Sequence, residues 1–151
     1  MKKRSFSNRR GNAMVELAAS APLFLLFFST CFQYGYYFYI YNRLENAVRA
    51  GARYASLRSY DSNTSTPSSG FSTAVTNMVM YGSPSGGTQT VVPGLTTSNV
   101  NLTVAMDNQV PSQMTIYITG YRISAVFGTW TLSKKPVATF RYQGRLGQKN
   151  G

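Results

Sequence analysis

The spacing of apolar residues changes along the chain, and each change predicts a different element. From Leu17 to Tyr41 no formal charge occurs, and leucine, phenylalanine, alanine and tyrosine fill most positions. As a helix this run is ~37 Å long at ~1.5 Å per residue, more than the ~30 Å hydrocarbon core of a bilayer requires. It predicts one membrane-spanning helix. Its first half, to Phe32, is aliphatic and rich in phenylalanine, whereas Tyr34, Tyr36, Tyr37, Tyr39 and Tyr41 form a dense band. Tyrosine favours the membrane–water interface, so the band marks the exit level; its density also suits a stacking surface between neighbouring helices. Pro22 frees a backbone carbonyl and predicts a kink or local loosening, tolerable where a bundle re-satisfies the group.

Nothing breaks the helix beyond Tyr41 as far as Arg58, and Glu45 stands four residues before Arg49, the favourable orientation for a helical ion pair. Ala47, Gly51 and Ala55 recur every four residues and form a seam of small side chains that lets another backbone approach closely. The seam suits packing on the chain's own domain and contact with another subunit equally well. Asp61 to Gly70 is polar and carries helix-stopping residues, which predicts a flexible linker over residues 59–70.

Phe71, Ala74, Val75, Met78 and Val79 then give the spacing of a short amphipathic helix, capped from Ser68 or Ser69 and ended by Gly82 and Pro84. Thereafter the period is two. Thr88–Val92, Val100–Met106 and Met114–Thr119 predict strands, with Val100, Leu102, Val104 and Met106 on one face. Val137–Tyr142 is a fourth candidate. Tyr121–Leu132 is ambiguous, because Ile123, Val126 and Phe127 have helical spacing. The expected fold class is α+β: a long transmembrane helix continuing into a small exported domain with a short helix and a three- or four-stranded antiparallel sheet. The segments read as a basic leader (1–11), a spanning helix (12–41), its extension (42–58), the linker (59–70), the exported domain (71–146) and a disordered tail (147–151).

Charge sharpens the N-terminal end. The run Arg9-Arg10-Gly11-Asn12-Ala13-Met14-Val15-Glu16 places a basic cluster, a glycine and one acid directly before the apolar segment. An ordinary secretory signal has a shorter apolar region with its small-residue cleavage site after it. Here the expected cut lies between Gly11 and Asn12, so the mature chain keeps its helix and carries Glu16 near its new terminus. The formal charge of +11 comes from 15 basic and 4 acidic residues, a balance that on a soluble protein suggests nucleic acid or an anionic surface. The distribution argues otherwise. Lys2, Lys3, Arg4, Arg9 and Arg10 precede the span, where they hold a leader at the anionic cytoplasmic face, and Arg43, Arg49, Arg53 and Arg58 follow it. No compact nucleic-acid motif emerges, and no nucleic-acid partner is expected.

Catalytic chemistry has little to work with. Histidine is absent, and the acids beyond the span are Glu45, Asp61 and Asp107, so neither a conventional metal site, a cofactor site nor a His-based acid/base pair is expected. Ser133 and Lys134 are adjacent, but adjacency alone does not make a nucleophile and base. The single cysteine, Cys31, lies in the apolar run, which excludes an intrachain disulfide and suggests a small core residue. Asn63-Thr64-Ser65 and Asn101-Leu102-Thr103 match the glycosylation sequon and carry no weight beside a bacterial-looking leader.

With Gly11 to Glu16, the Pro22-interrupted helix and the block Leu44-Glu45-Asn46-Ala47-Val48-Arg49-Ala50-Gly51-Ala52-Arg53-Tyr54-Ala55 in view, the chain closely resembles the TadE-like pseudopilins of tight-adherence (Flp, type IVb) pilus systems. The second block is the more specific, since glycine-ended leaders with a downstream glutamate are shared by many pilin-like families. The resemblance covers residues 9–58. It implies a non-enzymatic, minor pilin-like subunit held in the bacterial inner membrane, N-terminus in the cytoplasm and C-terminal domain outside. It further implies cutting after Gly11 by a membrane aspartic prepilin peptidase, then incorporation into or priming of a pilus used in adhesion. The implied partners are other pilin-like subunits, an assembly platform with its cytoplasmic ATPase, and an outer-membrane secretin. A carboxylate at the bilayer edge is costly unless paired, so Glu16 is expected to meet the free amine of Asn12 on a neighbouring subunit. A single-pass anchored protein unrelated to pili, and a secretion-system pseudopilin of the other major lineage, are the alternatives.

Overall fold

The computed structural model describes residues 9–144. Its first element, α1 (Arg9–Leu57), runs unbroken through Pro22 and is ~73 Å long at ~1.5 Å per residue. The helix lives in two environments. Ile40, Leu44, Ala47, Val48, Gly51, Ala52 and Ala55 recur at three- and four-residue steps and are buried, forming the stripe on which the rest of the chain packs. Below that stripe Met14, Val15, Leu17, Leu23, Phe24, Leu25, Leu26, Phe27, Phe28 and Phe32 are all exposed. Within this part, Thr30 Oγ1 donates to the Leu26 carbonyl and Ser20 Oγ to the Leu17 carbonyl, so both hydroxyls are satisfied by the helix itself.

The second helix, α2 (Ser69–Tyr81), begins where the capping chemistry puts it: the Ser68 side chain accepts the Phe71 N–H at 3.1 Å. It ends at Gly82, whose left-handed φ of 71° lets its N–H return to the Met78 carbonyl. Phe71, Ala74, Val75, Val79 and Met80 are buried on its inner face.

A three-stranded antiparallel sheet follows, with strands β1 (Val100–Asp107), β2 (Val110–Ile118) and β5 (Val137–Arg141) in the spatial order β1-β2-β5. Alternation sets its faces: Met114, Ile116 and Ile118 of the central strand are buried. On the opposite face the hydroxyls of Thr115 and Thr139 pair across the β2–β5 ladder at 2.9 Å. The β1–β2 turn uses Asn108 and Gln109, both at positive φ, and the register slips once between Ala105 and Met106. Helices and sheet share one hydrophobic core, in which Leu44, Val48, Tyr60, Phe71, Val79, Met114 and Ile116 are fully buried. The α+β class expected from the pattern is what forms.

Three local expectations are corrected. Thr88–Val92 is not a strand: Val91 N–H goes to the Met80 carbonyl at 2.7 Å, at the end of α2, and no neighbouring strand is in place to extend a ladder. Tyr121–Leu132 is neither one strand nor a helix but a separate two-stranded hairpin, β3 (Arg122–Ala125) and β4 (Gly128–Thr131). Cys31 is exposed on the free part of α1 and is not a core residue.

The connector after α1 is stitched to both sides of the domain. Tyr60 is fully buried, its hydroxyl donates to the Thr64 carbonyl at 2.6 Å, and Ser68 Oγ donates to Asp61. The segment after β5 returns to close the helix end. Gln143 and Gly144 N–H both donate to the Ser56 carbonyl at 2.9 Å, and Tyr142 Oη bridges the Arg58 carbonyl (3.1 Å) and the Tyr60 N–H (2.8 Å). Carbonyls that a helix terminus leaves without intrahelical partners are thereby satisfied by the far end of the chain. The tail expected at 147–151 lies outside the described residues.

Candidate functional site

Gly11, Asn12 and Glu16 lie on the first turns of the free part of α1, all exposed. A Cβ built on Gly11 would meet nothing, so its lack of a side chain answers no need of the fold. Of the leader expected at 1–11, residues 1–8 lie outside the described residues. The described ion pair is Arg49–Glu45, one helical turn apart on the exposed upper face of α1. Arg53 is exposed beside it.

The small-residue seam is occupied within the chain. Gly51 faces α2 and β2: a Cβ at this position would collide with Val79 Cγ2 and stand 3.3 Å from Ile116 Cδ1. Ala47 and Ala55 are buried on the same stripe. Of the two uses the spacing allowed, packing on the chain's own domain is the one the fold adopts.

The tyrosine band divides by face. Tyr37 and Tyr41 are half-buried against the domain, while Tyr34, Tyr36 and Tyr39 stay exposed. Arg43 lies above Tyr39, donating to its hydroxyl at 2.9 Å with the guanidinium 5.7 Å from the ring centre. Tyr34, Tyr37, Phe38 and Tyr41 of α1, together with Trp130 of β4, line an apolar groove of about 440 Å³. It is open along the helix and almost without polar lining, a surface shaped for hydrocarbon or aromatic groups and not for a polar substrate.

Sequence reasoning passed over Gln33. Its Oε1 accepts the Phe127 N–H at 2.6 Å, its Nε2 donates to Tyr37 Oη at 3.2 Å, and Tyr37 Oη donates to the Gly128 carbonyl at 2.9 Å. Tyr37 and Trp130 meet edge to face with ring centres 6.1 Å apart. The β3–β4 hairpin is thus fastened onto α1 by one amide and one phenol. A lone carboxamide in an otherwise apolar run was the available signal, because a buried or lipid-facing amide needs a partner.

Among the described residues no cluster of His, Cys, Asp or Glu has the makings of a metal site. Ser133 and Lys134 lie exposed in the turn before β5. Among the described residues the perturbed groups are tyrosines of the folded domain. Burial raises Tyr60, and the Asp61 and Tyr142 charges raise it further, against a lowering by Ser62. Burial also raises Tyr142, against the lowering effect of the Tyr60 N–H. Tyr121 is raised by burial first and then by Tyr36. All are held as neutral phenols that brace loops, a structural role and not an acid/base one.

Comparison with known proteins adds one finding. The model of the TadE-like protein family matches residues 11–53, which cover the free part of α1 and most of its buried stripe, so this stretch of the chain is similar to that family. No curated protein and no solved structure matches the chain.

Proposed function

We propose that the protein is a TadE-like pseudopilin, cut after Gly11 by a prepilin peptidase and acting in the assembly of tight-adherence pili for attachment to surfaces. The observation that carries the reading is the division of α1. Among the described residues one helix is long and apolar enough to cross a membrane; its first half, to Phe32, leaves its large apolar side chains exposed, while its second half is the spine of the domain. A shaft with a free apolar end and a covered head suits a subunit that waits in a bilayer and then packs its shaft among others. The TadE-like stretch spans that same division. The partners on this reading are the inner membrane, the peptidase, other pilin-like subunits, and the assembly platform with its ATPase. The protein itself catalyses nothing and is acted upon.

The leader supports the processing step in a specific way. Glycine costs about 1 kcal/mol relative to alanine inside a helix, so Gly11 eases unwinding of the first turn for a peptidase at the membrane edge. Intact-mass measurement or N-terminal sequencing from cells with an active prepilin peptidase is expected to give a mature chain that begins at Asn12. A chain that keeps Met1 under those conditions overturns the proposal and leaves a single-pass anchored protein unrelated to pili.

A further inference from the structure

The turn of the β3–β4 hairpin breaks the ordinary chemistry of turns. Ala125 pairs with Gly128, so the connection is the two residues Val126 and Phe127. Two-residue hairpin turns in water favour Asn, Asp and Gly, which tolerate the backbone and leave polar groups to the solvent. Here Val126 is 82% exposed, Phe127 55%, and Trp130 on the adjoining strand 53%. Such an apolar tip in a small exported domain requires something to cover it.

Its position on α1 says what does. The tip is bonded to Gln33 and Tyr37, which belong to the apolar run itself. Counting up from Leu17, the first residue after the Glu16 carboxylate, ~20 helical residues fill a ~30 Å hydrocarbon core and bring its far boundary to about residue 36. Gln33 therefore lies roughly 4–5 Å inside that boundary, and any tilt of the helix moves it deeper. Arg122, at the open end of the hairpin, is about 10 Å from Ala125 at ~3.3 Å per residue, a distance comparable to the headgroup layer. Charge at the base and hydrocarbon at the tip match the polarity profile of one leaflet.

We propose that the β3–β4 hairpin is a membrane anchor, with Val126, Phe127 and Trp130 seated at the acyl–headgroup boundary of the leaflet through which α1 leaves the bilayer. Gln33 and Tyr37 fix it at that depth, and the exposed Tyr34 and Phe38 continue the same lipid-facing surface. The consequence is orientational. One helix alone leaves the domain free to tilt and rotate at the surface, whereas a helix plus a hairpin tip gives two points of contact with the leaflet. The inference rests on the membrane-spanning part of the proposed function and not on pilus assembly.

Trp130 is the only tryptophan and reports directly. Full-length protein is reconstituted at low density into phosphatidylcholine–phosphatidylglycerol vesicles, with phosphatidylcholine brominated at defined acyl depths. The expected result is a blue-shifted emission, protection from acrylamide, and stronger quenching by bromines near the carbonyl end of the chain than by bromines near the bilayer centre. Val126→Asp is expected to weaken that quenching and restore acrylamide access while the protein still floats with the vesicles and keeps its far-ultraviolet dichroism; Val126→Ser gives the same test with less perturbation of the turn. Emission that is shielded from acrylamide but insensitive to bromolipid means that another protein subunit covers the tip, and overturns the proposal. Trp130 open to acrylamide in floated protein overturns it equally. Failure to float at all removes the membrane reading together with the anchor, so the two failures are distinguishable.

Discussion

At Gly51 a single methyl group is opposed by two side chains that have nowhere to go. Val79 is fully buried and β-branched, with one strongly preferred rotamer in a helix, and Ile116 closes the space behind it. Replacing Gly51 with alanine gains about 1 kcal/mol of helix propensity, whereas forcing extra volume into a packed core costs roughly 1–3 kcal/mol. Steric cost wins because the virtual Cβ overlaps a Val79 methyl outright. Gly51→Ala is therefore expected to lower the stability of the protein by on the order of 1 kcal/mol. Gly51→Leu is expected to cost more and to lower the amount of folded protein in the membrane, read by chemical denaturation and by protease resistance of the domain. An unchanged or raised stability for Gly51→Ala would show that the seam is not closed on α2 and β2. Spacing alone revealed the small residues but not their occupant, since a four-residue repeat describes one face of a helix and says nothing of which surface meets it. Tyr60 was illegible for a related reason: its neighbours are polar, and only its closing against Phe71 and Tyr142 makes it core.

Elements were readable where the pattern was local and regular. The capping serine, the apolar stripe of α2 and the alternation of β1 and β2 are properties of neighbouring residues, and each appears where its spacing put it. The hairpin was ambiguous because its apolar tip replaces the turn residues that normally announce one, and Thr88–Val92 has strand composition but no partner strand. The clasp of residues 142–144 on the end of α1 joins positions far apart in sequence and has no local signature. Its chemistry nevertheless yields a pH prediction. Burial raises Tyr60 and Tyr142 above the ordinary phenol value near 10, so on rising pH the unfolded chain releases protons before the folded one. The unfolded state then binds fewer protons, and stability falls as pH rises. The contribution is fully present below about pH 10 and is lost as pH climbs through the raised folded values. Tyr142→Phe removes the bridge between Arg58 and Tyr60 and is expected to cost about 1–2 kcal/mol at neutral pH. The same variant should flatten the alkaline loss. Unfolding midpoints measured between neutral pH and about pH 11 check both parts, and an alkaline transition identical in the two proteins would exclude Tyr142 as its source.

On the scale of the whole molecule the two ends of α1 are mechanically separate, which makes the proposed assembly role of Glu16 testable apart from folding. Roughly 25 Å of helix lies between Glu16 and Gln33, where contact with the β3–β4 hairpin begins, so a substitution at Glu16 cannot reach the core through packing. A carboxylate entering the hydrocarbon costs up to about 2.5–3.5 kcal/mol at mid-bilayer and less near the edge, so Glu16→Ala eases insertion if it changes it at all. In the proposed assembly, pairing with the Asn12 amine of a neighbouring subunit would offset that cost, and alanine would remove the attraction. Glu16→Ala is thus expected to insert, to keep the stability of the domain, and to be cut after Gly11, yet to fail in co-purifying with pilin-like partners and in supporting pili. Glu16→Gln separates charge from polarity: it keeps the hydrogen-bonding shape and loses the ion pair, and should share the defect of the alanine variant. Mature-chain mass, domain stability and piliation measured on the same strains keep a processing fault from passing as an assembly fault. Full piliation by both variants, in cells lacking the native copy, would reduce Glu16 to a solvated side chain at the headgroup level.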